Sequence, residues 1–148
     1  MPPRPDAAQQ LVFTADPSSV RAALVRLLSE APVHDLGEDD RGTVELVLAE
    51  VLNNVAEHAY AGGSGPVEVG LSAIPNGLAC RIIDRGLAMP EGALPEGRLS
   101  ATGTVPPDDL PEGGFGWHLI RSLTADLCYA RKAGQNRLSF VIPLGGQT

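Results

Sequence analysis

Glu50, Asn54 and His58 stand four residues apart in the segment AEVLNNVAEHAY. With Val44 set at zero and about 100° per residue, they fall at roughly 240°, 280° and 320°, on one stripe of a helix. A carboxylate in that position can accept a proton or orient a hydroxyl. An amide oxygen beside it is a ligand for a hard cation. Asn53, near about 180°, faces away from the stripe and reads as a solvent residue. A solvated helix flank is the plain alternative for the stripe taken alone. Two further features add to it. Asp84 ends the apolar run Leu78–Ile83 and is followed by Arg85 and Gly86, so its carboxylate can project into a cleft where the backbone comes close to a ligand. Gly113-Gly-Phe-Gly116 stands directly before Trp117-His-Leu-Ile-Arg121. Glycines opening a helix present bare N–H groups and the positive helix end to an anion such as a phosphate.

The elements that must carry these residues are legible as periodicities. Val44, Val47, Leu48, Val51, Leu52 and Val55 recur at helical spacing, which predicts a helix over about 40–60. Their centre lies near about 10° on the same wheel, so the Glu50/Asn54 stripe falls at the margin of the buried face. Before it, Leu11–Ala15 predicts a strand, and Asp16-Pro-Ser-Ser19 predicts a capped helix over about 17–30. After it, glycines and a proline in residues 62–66 form a turn. The alternation of Val67, Val69 and Leu71, then Pro75-Asn-Gly77, then Leu78–Asp84, predicts a β-hairpin. Residues 86–116 hold seven glycines and five prolines and no periodic element, which reads as a functional lid over about 87–114. A short helix over 117–123 and a closing hairpin, 126–131 and 137–144 around Gly134-Gln-Asn136, complete the order β-α-α-β-β-lid-α-β-β. The expected fold is α+β, about three helices layered on a mainly antiparallel sheet. Residues 1–10 are expected to be a flexible arm, and 11–144 a single domain.

Composition closes off other chemistries. The 148 residues carry 11 basic and 18 acidic side chains, a net charge of −7, with no basic cluster of the kind that displaces counterions from nucleic acid or an anionic membrane. Lys132 is the sole lysine and lies outside any glycine-rich loop, which excludes P-loop NTPases and protein kinases of the two-lobed kind. Cys80 and Cys128 each sit in an apolar run and read as buried free thiols. His34, His58 and His118 show no metal-ligand spacing. No apolar run is long enough to span a bilayer, and the expected location is the cytoplasm.

The order of these features, a helical E-x-x-x-N-x-x-x-H, a strand-end D-x-G, a long glycine-rich segment and a G-x-G opening a helix, resembles the ATP-binding domain of the GHKL superfamily. That superfamily holds gyrase, heat-shock chaperones, sensor histidine kinases and mismatch-repair ATPases. Within it, AEVLNNVAEHAY and GGFGWHLIRSL look most like the bacterial anti-sigma factor serine/threonine kinases, over about residues 11–144. The resemblance implies a histidine-kinase-like, Bergerat-type ATPase fold with ATP and Mg²⁺ as cofactors. It implies Asn54 as the Mg²⁺ residue, Glu50 as the general base, and Asp84 as acceptor of the adenine amino group. Gly86 then lies against the base, and Gly114, Phe115 and Gly116 form the phosphate segment as the lid closes. Phe115 and Trp117 also read as residues that anchor the lid's return, and His58 as one that closes the helix end. The implied partners are a STAS-type anti-sigma-factor antagonist as substrate and a sigma factor or equivalent regulator, with homodimers common among such kinases. The sequence departs from the family pattern at Ala88, where a second glycine is usual, and at Glu112, where some relatives carry a basic residue. With no lysine near, charge in the transition state falls to Mg²⁺, backbone N–H groups or an arginine such as Arg98 or Arg121. A non-catalytic ATP-binding module that sequesters a partner is the alternative reading.

Overall fold

The computed structural model describes residues 8–61, 63–89 and 114–145. Most of the expected lid, with Arg98, Glu112 and Gly113, lies outside the described residues, as do residues 1–7 of the arm.

The chain runs β1 (Ala8–Ala15), α1 (Pro17–Ser29), a 3-10 turn (Val33–Asp35), α2 (Glu38–Asn54), a π-helical turn (Val55–Ala59), β2 (Gly65–Ile74), β3 (Gly77–Asp84), α3 (Gly114–Leu123), β4 (Ala125–Lys132) and β5 (Gln135–Pro143). The strands form one five-stranded sheet in the order β1-β2-β3-β5-β4. Each pairing among the described strands is antiparallel. Strand alternation decides which side chains turn inward. Val67, Val69 and Leu71, then Leu78, Cys80 and Ile82, then Leu138, Phe140 and Ile142 are buried and form one cluster with α1, α2 and α3. The helices thus cover one face of the sheet, and Val12, Arg81, Arg137 and Ser139 point out from the other. This is the expected α+β two-layer architecture.

Local signals set the element ends. Asp16 Oδ1 accepts from the Ser18 and Ser19 amides at 3.0 and 2.9 Å, and Ser19 Oγ accepts from the Asp16 amide at 2.9 Å. That reciprocal cap satisfies N–H groups that the first turn of α1 cannot. In α2 the positions read as apolar are the buried ones, from Val44 to Leu52.

Three features differ from the sequence reading. Ala8–Gln10 are not an arm but the start of β1, because the ten residues of β2 extend far enough to pair them with Gly70–Ser72. The second hairpin turns at Ala133 and Gly134, whose φ angles of +53° and +78° fit a two-residue turn matching the twist of its strands. Gln135 and Asn136 therefore belong to β5, paired with Lys132 and Arg131. Cys128 is exposed on β4, whereas Cys80 is buried as expected. Burial alone pushes the Cys80 thiol far above its ordinary value, so it stays protonated and inert. Among the described residues no helix is long and apolar enough to cross a membrane.

Candidate functional site

Asn54 is the last residue of α2 before the backbone widens into the π-helical turn. It is 6% exposed, and its Nδ2 is buried with no hydrogen-bond partner. An unpaired buried polar group costs about 1–3 kcal/mol, which a bound partner recovers. Glu50, one turn earlier, is half-buried. Both face the first turn of α3. A Cβ at position 116 would lie 2.6 Å from Glu50 Oε2 and 3.8 Å from Asn54 Nδ2, so the α3 backbone passes close to both, and a larger residue there would displace the Glu50 carboxylate. The N–H groups of a helix's first turn have no partner further back within it, and here the described ones belong to residues 114–116. Carboxylate, orphaned amide and free helix end thus meet in one place. Trp117 is 4% exposed in the core and anchors this end of α3, as read from the sequence.

Asp84 closes β3 and is 5% exposed. Its Oδ1 accepts from the Gly86 amide and from Asn136 Nδ2, each at 2.8 Å. Burial raises its pKa above the ordinary carboxylate value, opposed by the Asn136 and Gly86 hydrogen bonds and the Arg131 charge. The residues after Asp84 are held on two sides. On the π-turn side, the Leu87 amide donates to Ala59 O at 2.7 Å. A Cβ at position 86 would lie 2.3 Å from the same oxygen. Tyr60 Oη accepts from the Arg85 amide and donates to Pro66 O, both at 2.7 Å. Burial raises the Tyr60 pKa, so the phenol keeps its proton. On the sheet side, the Met89 amide donates to Tyr129 Oη at 3.0 Å, and Arg131 Nη1 donates to Gly86 O at 2.6 Å.

The expected site residues therefore fall in two groups. Glu50, Asn54 and Gly116 are in direct proximity. Asp84 and Gly86 form an adjoining wall that meets the π-helical turn after α2 through Ala59. Gly114 and Phe115 lie in the first turn of α3 by their backbone. His58 leaves the stripe: the wider π turn carries it to an exposed position, and the helix end is closed by the Tyr60 amide on Val55 O. Tyr60, Tyr129, Arg131 and Asn136 escaped the sequence reading. Asn136 alone carried a signal, since it shares the inward period of Leu138, Phe140 and Ile142.

The donor set fits Mg²⁺ held chiefly by a nucleotide. Mg²⁺ keeps several waters and takes few protein ligands. The Asn54 Oδ1 is an oxygen of the kind Mg²⁺ takes, whereas the buried atom left without a partner, Nδ2, is a donor that suits an anionic oxygen such as a phosphate's.

Comparison with known proteins identifies the family. The family described as histidine kinase-like ATPase domain matches residues 13–142. The chain belongs to that family. Within the histidine kinase-like ATPases it is similar to proteins named serine-protein kinase RsbW. It is 28% identical over 117 residues to that of Halalkalibacterium halodurans, covering 78% of this chain and 72% of the relative. It is 25% identical over 107 residues to that of Bacillus thuringiensis, covering 71% and 67%. The fold matches the blue-light activated histidine kinase of Erythrobacter litoralis EL346 at a TM-score of 0.57 and 22% identity, over 88% of this chain. It also matches the RsbU and RsbW domains of Rv1364c from Mycobacterium tuberculosis at 0.52 and 19%, over 95% of this chain. The chain spans 41% and 35% of those two structures, so the likeness is to one domain of each.

Proposed function

We propose that this histidine kinase-like ATPase domain is an ATP- and Mg²⁺-dependent serine/threonine protein kinase that also serves as an anti-sigma factor in a partner switch. Its substrate is a STAS-type anti-sigma-factor antagonist, and its second partner is a sigma factor or equivalent regulator. The observation that carries this reading is the approach of Gly116 to Glu50 and Asn54, which sets a carboxylate, a carboxamide and the start of a helix side by side. The similarity to serine-protein kinases supports it.

In this reading Asn54 holds Mg²⁺, which when bound neutralises charge on the phosphates. Gly114, Phe115 and Gly116 offer backbone N–H groups to those phosphates. Glu50 accepts the proton of the incoming serine or threonine hydroxyl as it attacks the terminal phosphorus. Asp84 accepts from the adenine amino group, and Gly86 lets the base lie against the backbone. Guanine turns a carbonyl oxygen toward the same carboxylate, and two acceptors repel, so GTP is rejected. In this reading the protein works in the cytoplasm, without nucleic acid or membrane.

The test is co-purification of partners from the native cell, followed by transfer of labelled phosphate from ATP to any STAS-type protein recovered. Wild type transfers phosphate; Glu50→Gln loses transfer by about 10²-fold or more, the scale of a lost general base, with ATP affinity nearly unchanged. Binding of the partner without transfer selects the non-catalytic sequestering module instead, a reading that the departures at Ala88 and Glu112 keep open. Unchanged transfer in Glu50→Gln removes this residue as the base.

A further inference from the structure

We propose that Asn136 is a positioning residue that aims the Asp84 carboxylate and thereby sets adenine over guanine. The inference rests on the reading of Asp84 as the adenine acceptor and adds to it the residue that makes the acceptor selective. Asn136 is 5% exposed, on a strand whose other inward residues are apolar. A polar side chain there is costly unless its bonds are made, and this amide makes all of them. Its Nδ2 donates to Asp84 Oδ1 at 2.8 Å and to Leu87 O at 2.8 Å. Its Oδ1 accepts from Tyr129 Oη at 2.5 Å and from Arg131 Nη1 at 3.0 Å. With two N–H bonds and two acceptor positions engaged, the amide has one orientation.

That orientation has a consequence at Asp84. A carboxylate turns freely about its last bond unless one oxygen is pinned. Here the Gly86 amide and Asn136 both donate to Oδ1, and the carboxylate's described hydrogen bonds all go to that atom. Oδ2 is left as the acceptor for an incoming amino group. The same donors favour the ionised form, which accepts only. Without Asn136 the buried carboxyl loses the strongest influence opposing its protonation. A protonated acid donates, and a donor suits the guanine carbonyl oxygen. Loss of Asn136 therefore weakens ATP and admits GTP together. Its bond to Leu87 O fixes the first residues after the strand in the same arrangement, so the base-binding wall and the start of the following segment are set by one side chain.

The experiment is calorimetric titration of wild type, Asn136→Leu and Asn136→Asp with ATP and with GTP, both with Mg²⁺. The first variant keeps the branched shape, with a somewhat larger side chain, and removes every polar contact. The second keeps the oxygen facing Tyr129 and Arg131 and puts an acceptor opposite Asp84. In both, the ATP-to-GTP affinity ratio falls about tenfold, the factor that corresponds to one charge-assisted hydrogen bond. A residue that serves only stability lowers both affinities alike. A ratio unchanged in either folded variant overturns the proposal, as does failure of both to fold. If wild type shows no preference for ATP, the reading of Asp84 itself fails; a preference kept by the variants removes Asn136 alone.

Discussion

Asp84 and Asn54 are buried polar groups at the proposed nucleotide site. The Asn54 Nδ2 is sequestered without a partner, and Asp84 is sequestered with a pKa raised by burial. For Asp84 the sign of the stability effect follows from linkage. The folded form holds the carboxyl proton more firmly than the unfolded chain, whose ordinary value is 3.8. Ionised Asp84 therefore costs stability at neutral pH, and the cost fades as pH falls through the raised value. Nucleotide-free Asp84→Asn is expected to melt above wild type near about pH 7.5, with the gap closing toward about pH 4. A gap that stays constant over that range in thermal unfolding contradicts the effect. The same substitution should abolish the preference for ATP.

At the scale of elements, the junction between the end of α2 and the end of β3 decides where the site lies. The π turn aims Ala59 O outward, where the Leu87 amide meets it, and Gly86 passes at a distance no Cβ tolerates. Gly86→Ala meets rigid backbone, so something must shift. The expected loss is about 1–3 kcal/mol, the usual cost of overpacking, or about 5 °C in Tm. Gly42→Ala is the contrast: it lies inside α2 with open space around its Cβ, and gains about 0.5–1 kcal/mol from helix propensity. Thermal unfolding of the two variants checks the sign of each, and equal effects contradict the close approach at Gly86. The sequence announced a glycine two residues after Asp84. It contained no sign that the neighbour was Ala59, because that contact spans two elements far apart in the chain.

For the whole molecule, one sheet face is covered by helices, and the proposed nucleotide site lies where α2, α3 and the end of β3 converge. Binding of ATP with Mg²⁺ to the folded state alone adds about 2.7 kcal/mol at about 100 times Kd. In a domain of this length that raises Tm by about 5–10 °C. GTP, and ATP after chelation of the metal, should give much smaller shifts. Equal shifts with ATP and GTP remove Asp84 as the discriminating residue.

Periodicity along one strand or helix was enough to identify the layers, the apolar stripe of α2 and its polar margin at Glu50 and Asn54, because each depends on neighbours within a few residues. The approach of Gly116 to that margin, the exit of His58 at the π turn, and the pairing of Ala8–Gln10 with β2 depend on contacts between distant segments. Asn136 illustrates the boundary most clearly. Read locally, Gly134-Gln-Asn136 is turn-like, whereas pairing of β4 with β5 puts the turn at Ala133 and Gly134 and sends Asn136 inward to Asp84. A side chain's hydrogen-bond partners are fixed by where other strands lie, and only the assembled sheet supplies that.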